Sequence, residues 1–249
     1  MISGYAPVNG LQLYYELHGT DDGRPPLVLL HGGGSTIQTS FSELLPALAR
    51  HRRVIAVEQQ GHGHTADVDR PFAFDQSADD IAALLRHLHV DQADVLGYSN
   101  GGHIAIELAL RHPKLVRRIV IESSMVSRDG CDPAFWEGFK GAKLESMPPE
   151  LKKAYVETSP HPDRLQSFFD KSVERMLHFK GWTPEQLKSI QAPVLVLAGD
   201  RDIGTPEHSV RMFRMFPNAD LAILPGTDHM RIVQRSDGVA SLTESFLAK

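Results

Sequence analysis

Three residues with complementary chemistry are spread along this chain of 249 residues. They are Ser99, Asp202 and His229. A serine hydroxyl is a poor nucleophile at neutral pH. A histidine within hydrogen-bond reach takes its proton, and a carboxylate on the far side of the ring holds the tautomer and balances the imidazolium. Each of the three follows a short apolar run. Ser99 is the tip of Gly97-Tyr98-Ser99-Asn100-Gly101, after Ala93-Asp94-Val95-Leu96. Asp202 lies in Asp200-Arg201-Asp202-Ile203-Gly204, after the run from Pro193 to Gly199. His229 lies in Pro225-Gly226-Thr227-Asp228-His229-Met230, after Leu221-Ala222-Ile223-Leu224.

The pattern around Ser99 requires a strand to turn directly into a helix. The flanking glycines remove Cβ atoms that would collide in so sharp a bend. The expectation is a strained Ser99 whose hydroxyl is exposed at the C-terminal edge of a sheet. Its backbone then stands at a helix N-terminus, where free N–H groups face developing negative charge. A second glycine cluster, His31-Gly32-Gly33-Gly34-Ser35, follows the buried run Leu27–Leu30 and lets backbone approach a ligand closely. It lacks the Gly-x-Gly-x-x-Gly spacing and the Gly-Lys-Ser/Thr of nucleotide-binding loops. His62 and His64 alternate in a third loop, Glu58 to His64. Two histidines without further ligands do not make a metal site, and no metal or cofactor is expected.

The elements that must position these loops follow from periodicity. Asn9-Gly10 between strand-like Tyr5–Val8 and Leu11–Leu17 predicts a hairpin. Leu27–Leu30 and Val54–Val57 read as strands buried on both faces. Helical stripes run over 41–50 and 74–90, the latter with Ser77 and Asp80 as a box-like start. The helix after Ser99 reaches about Arg111, and Val116–Ile121 is the next strand. From Met125 to Trp182 no buried strand appears, and aromatic residues are interleaved with charge. Pro162 suits a first helical position, and Leu165, Phe168, Phe169, Val173, Met176 and Leu177 keep helical spacing. Alternation resumes with short helices from Thr183 and from Thr205-Pro206, and a last helix reaches about Leu247. The expected class is α/β, with core segments 1–124 and 183–249 and a helical cap inserted at 125–182. Trp136, Phe139, Phe168 and Phe169 are the candidates for an apolar, substrate-binding wall.

Composition bounds the function. Hydrophobic residues make up 41% of the chain, enough for a sizeable core, and the net charge of −5 gives no basic surplus for nucleic acid or an anionic membrane. The single cysteine, Cys131, excludes an intramolecular disulfide. No secretory leader and no membrane-length apolar run is evident, so a cytoplasmic location is expected.

Gly-x-Ser-x-Gly together with the chain order serine, acid, histidine resembles the α/β-hydrolase family. The resemblance implies a sheet of about eight mostly parallel strands with helices on both faces and a lid after the sixth strand. It implies Ser99 as nucleophile, His229 as base and an oxyanion hole of the Gly33 and Asn100 N–H groups. Two carboxylates compete for the third role. Asp200 directly follows its strand and suits a turn-holding role, whereas in relatives with a Gly-Asp-x-Asp exit the second aspartate, here Asp202, is the triad acid. Asp228 is too close to His229 in sequence to bond its ring. The family usually has Asp where Glu58 stands, so the third loop matches in part. A serine at position 99 argues against the dehalogenases and epoxide hydrolases of this fold. The implied reaction is hydrolysis of a small carboxylic ester or lactone through an acyl-enzyme, with a small-molecule substrate as partner. Carbon–carbon bond hydrolysis of the ring-cleavage type, or a ligand receptor on the same scaffold, remain as alternatives.

Overall fold

Asn9 and Gly10 both take positive φ, 48° and 84°, which suits the two-residue turn of a twisted hairpin. In the computed structural model, which describes residues 1–249, they join β1 (Ile2–Val8) to β2 (Leu11–His18) in an antiparallel pair. The chain continues through β3 (Leu27–Leu30), α1 (Ile37–Phe41), α2 (Leu44–Ala49), β4 (Val54–Val57) and α3 (Phe74–His87). Next come β5 (Ala93–Tyr98), α4 (Asn100–Arg111) and β6 (Val116–Glu122). The long helical segment after β6 carries α5 (Pro133–Glu137), α6 (Pro149–Thr158) and α7 (Leu165–Leu177). The chain then closes with α8 (Pro184–Ser189), β7 (Val194–Arg201), α9 (Pro206–Met215), β8 (Ala219–Asp228) and α10 (Ser236–Leu247).

The eight strands form one sheet in the order β1-β2-β4-β3-β5-β6-β7-β8. β2 runs antiparallel to both neighbours, and every later pair is parallel. β3, β4 and β5 are buried at every residue, which is why β3 and β4 read as unbroken apolar runs rather than alternating ones; β5 carries one buried charge, Asp94. One face is covered by α3, α4 and α9 through Ile81, Leu84, Leu108 and Met212. The other is covered by α1, α2 and α10 through Phe41, Leu44, Leu48 and Phe246. The parallel strands all end on one edge, where ligand sites of such sheets lie. No helix is long and apolar enough to cross a membrane.

Local details depart from the sequence reading in three places. The stripe over 41–50 is two short helices, with Phe41 ending the first. The helix at 74 starts after Ala73 without a side-chain cap. Ser77 instead donates back to the Ala73 carbonyl at 2.9 Å, and Asp80 receives Asn9 at 3.0 Å and pairs with Arg70. The expected box therefore lies inside the helix, where these polar groups bond to the preceding turn, the hairpin loop and Arg70. Pro162 opens a 3₁₀ turn, Pro162–Arg164, that leads into α7.

A buried ionic cluster ties the last helix to the sheet. Arg52 is 2% exposed and donates to Asp94 at 3.1 Å and to both oxygens of Glu244 in α10 at 2.9 Å. Arg117 adds two bonds to Asp94, at 2.8 and 2.6 Å. Removing the shared carboxylate leaves Arg117 without a carboxylate partner and buried Arg52 with Glu244 alone. Asp94→Ala is expected to lower stability by about 3–5 kcal/mol. Urea unfolding followed by circular dichroism checks this, and an unchanged midpoint would contradict it.

Candidate active site

β5 ends at Tyr98 and α4 begins at Asn100, so Ser99 alone makes the bend, at φ 53° and ψ −118°. The glycines permit it. A Cβ on Gly97 would lie 2.1 Å from the Gly101 carbonyl oxygen, one on Gly101 1.9 Å from that of Leu30, and one on Gly102 2.1 Å from Ser124 Oγ. Strand and helix backbones are packed against each other with no room for side chains. Ser99 is pinned from both sides. Its N–H donates to the Glu122 carbonyl at 2.8 Å, and Ser124 Oγ donates to its carbonyl at 2.5 Å.

The ends of β7 and β8 bring the other two residues to it. His229 Nε2 stands 3.1 Å from Ser99 Oγ, and its Nδ1 stands 2.7 Å from Asp202 Oδ1. Nδ1–H donating to the carboxylate leaves Nε2 free to accept the serine proton. Asp202 also receives Ser123 Oγ at 2.5 Å and the Ile203 N–H at 2.7 Å. Burial pushes its pKa up, but the bond and charge of His229 together with these donors outweigh burial and hold it below the ordinary value. The competing carboxylates are occupied elsewhere. Asp200 receives the Thr227 N–H at 3.0 Å, and Asp228 receives those of Met230 and Arg231 at 3.0 and 2.8 Å.

Gly33 and Asn100 meet beside Ser99. The Gly33 N–H has no intramolecular partner, and that of Asn100 is the first of its helix, which has none by geometry. A Cβ on Gly33 would lie 2.3 Å from Asn100 Nδ2, so the glycine leaves the space that the Asn100 carboxamide fills. Buried histidines brace the loop. His31 Nδ1–H donates to the Gly32 carbonyl at 2.8 Å while its Nε2 accepts from the Gln59 N–H at 3.2 Å. His62 Nδ1–H donates to the Gln60 carbonyl at 2.9 Å, and its Nε2 accepts from the Gly34 N–H at 3.3 Å. Burial lowers the pKa of His31 to about 4 and that of His62 well below the ordinary value, so both are neutral. Glu58 is likewise structural. Its carboxylate receives the N–H and Nδ1 of His64 at 2.6 and 2.8 Å, and a Cβ on Gly63 would overlap it at 2.2 Å.

Above the serine lies a cavity of about 450 Å³. Gly33, Ser99, Asn100 and His229 border it below. Phe139, Phe168 and Phe169 are among its walls, with Met147 and Met176. Trp136 is not, which corrects the sequence reading. Its indole N–H donates to the Arg128 carbonyl at 2.7 Å, the Arg128 guanidinium covers one face at 4.2 Å, and the ring stacks on Phe179 at 5.6 Å. It packs the helical segment onto the core. A smaller recess of about 150 Å³, reaching Ser35, Thr39 and Glu150, opens on another side of Ser99 and His229.

A model of the alpha/beta hydrolase family matches residues 27–242. The chain belongs to that family. This hydrolase is 27% identical to 2-hydroxy-6-oxo-2,4-heptadienoate hydrolase of Pseudomonas putida, over 93% of the chain and 92% of that protein. It is 24% identical to a proline iminopeptidase of Clostridioides difficile, over 98% and 97%. Among solved structures, the enol-lactonase of Burkholderia xenovorans LB400 superimposes with a TM-score of 0.79 at 23% identity, covering 98% of this chain and all of that one. The chain is thus that of an enzyme of a hydrolase family whose members act on chemically different substrates.

Three residues of the hydrolase's site carry no signal that sequence reading picked up. Tyr98, the variable position before Ser99, donates its hydroxyl to the His229 carbonyl at 2.8 Å and lies against that ring. Ser123 orients Asp202 from a left-handed conformation, φ 51°. Glu122 is fully buried beneath them, and neither side-chain oxygen has a partner. Burial, and then the charge of Asp202, push its pKa up to about 8. In the unfolded chain this carboxyl ionises in the ordinary range. Between roughly pH 4.5 and 8 the native state therefore binds more protons than the unfolded one, and stability falls as pH rises. Glu122→Gln is expected to abolish that fall, gaining on the order of 4 kcal/mol near pH 7.5 and little at pH 4.5. Thermal melts of both proteins from pH 4 to 8 test this, and parallel profiles would contradict it.

Proposed function

We propose that this enzyme is a serine hydrolase that cleaves a small carboxylic ester or lactone through an acyl-enzyme. The observation that carries the proposal is the unbroken relay from Ser99 Oγ through His229 to Asp202, at 3.1 and 2.7 Å, below an apolar cavity. In this reading His229 Nε2 takes the hydroxyl proton as Ser99 Oγ bonds to the substrate carbonyl carbon. The carbonyl electrons move onto oxygen, which the Gly33 and Asn100 N–H groups receive. As the tetrahedral intermediate collapses, the bond to the alkoxy oxygen breaks and His229 returns its proton to that oxygen. Water, deprotonated by His229, then releases the acid and restores Ser99.

No lysine or arginine borders the cavity, and its walls are mainly apolar, which favours an uncharged acyl or alkyl group there. The smaller recess suits a short group on the other side of the scissile bond. The name of the Pseudomonas relative supports a second reading, cleavage of a carbon–carbon bond in a dienone acid. It would place a carboxylate in a site without a bordering cation.

Purified protein tested on graded p-nitrophenyl esters, lactones and a dienone acid separates the two. Short to medium esters or lactones are expected to turn over best, and exclusive turnover of the dienone acid would replace the ester reading. With a turned-over substrate, Asp202→Asn is expected to reduce kcat on the order of 10⁴-fold while Asp200→Asn retains most of it. The reverse ranking would overturn the assignment.

A further inference from the structure

Arg175, near the end of α7, is 5% exposed and has no counter-ion. Its guanidinium lies over the rings of Phe72 and Phe74, 5.6 and 5.1 Å from their centres. Its one polar contact is a long one, Nη1 to Gln59 Oε1 at 3.4 Å, and Nε and Nη2 have no partner. The titratable groups that feel its charge, His31, His62 and His103, are all buried and held neutral. Burial lowers the pKa of Arg175 itself only to about 10, so it is a cation at neutral pH. An unpaired charge in such surroundings is costly to keep, and α7 would lose little by carrying an apolar residue there.

The place of this charge gives it a use. Nη2 lies 3.6 Å from where a Gly33 Cβ would stand. Backbone geometry then puts Nη2 within about 6 Å of the Gly33 nitrogen. An oxyanion bonded to that nitrogen would lie within about 9 Å. Arg175 is not among the residues that border the cavity above Ser99; it lines a separate cleft of about 910 Å³ with Phe72, Phe74 and Phe179. Gln59, which receives Nη1, donates to the His31 carbonyl at 2.8 Å at the root of the same glycine loop.

We propose that Arg175 is a positioning residue for the reaction above, a fixed buried positive charge behind the oxyanion loop whose missing counter-ion is supplied by the tetrahedral oxyanion. This rests on the serine-hydrolase reading. The neutral substrate gains nothing from the cation, and the anionic intermediate does, so the effect falls on kcat and not on KM. At this distance and an effective dielectric of about 20 it amounts to roughly tenfold or somewhat more in rate.

The test compares wild type, Arg175→Met and Arg175→Lys for binding of an alkyl trifluoromethyl ketone, which adds to the serine as an oxyanion, and of the matching alcohol, which stays neutral. In Arg175→Met the ketone is expected to bind about tenfold more weakly with the alcohol unchanged, alongside a matching loss in kcat. Arg175→Lys should keep most of both. Equal ketone-to-alcohol ratios in all three proteins would overturn the proposal and leave Arg175 a packing residue, as would a loss confined to KM for acidic substrates. Failure of the wild type to form the ketone adduct would overturn the serine-hydrolase reading itself. Should Arg175→Met not fold, Arg175→Gln removes the charge with a polar replacement and the same ratio is read.

Discussion

At φ 53° and ψ −118°, Ser99 occupies a conformation that an L-residue holds only when its surroundings leave no alternative, at a cost of about 1–3 kcal/mol. Almost every feature of the site can be traced to that one residue. The bend brings β5 and α4 so close that Gly97 has no space for a Cβ, and it seats the start of α4 so tightly that Gly101 meets the Leu30 carbonyl of β3 and Gly102 meets Ser124. It places the Asn100 N–H beside the serine, and it lets the Asn100 carboxamide occupy the space that a side chain at Gly33 would need. The strain is held by the neighbouring strand, through the carbonyl of Glu122 and the hydroxyl of Ser124.

Around this point the charges are arranged with little redundancy. Asp202 is ionised and satisfied on both oxygens, Glu122 is buried and uncharged below it near neutral pH, and the histidines that brace the glycine loop are neutral. The unpaired cation behind that loop is Arg175. Each protonation state follows from burial and partners rather than from residue type alone. Two carboxylates at adjacent strand ends, Glu122 and Asp202, are thereby driven to opposite states.

Much of this was legible in the residues. Continuous apolar runs such as Leu27–Leu30 and Val54–Val57 have few structural alternatives, and parallel strands send their exits to one edge whatever the loops contain. That is why Ser99, Asp202 and His229 meet across 130 positions of sequence. What escaped is what depends on the direction of a side chain. Trp136 and Phe139 lie on neighbouring turns of the helical segment, yet one faces the core and the other the cavity, and aromatic density does not distinguish them. Ser77 and Asp80 have the composition of a helix start but bond to a preceding turn and a distant loop. Arg175 stands seven residues after Phe168, on a buried face of α7, and the charge interrupting that stripe was a visible signal of an unusual environment.

The central claim is that the strained serine at the end of β5 is the nucleophile. Its most direct measurement is to incubate the native protein with an alkyl fluorophosphonate, then determine the intact mass and locate the adduct by peptide mass spectrometry. A single adduct on Ser99, with hydrolytic activity lost in proportion to labelling, is the predicted result. An adduct on Ser35 or Ser123 that abolishes activity, or full activity after Ser99 is modified, would contradict it.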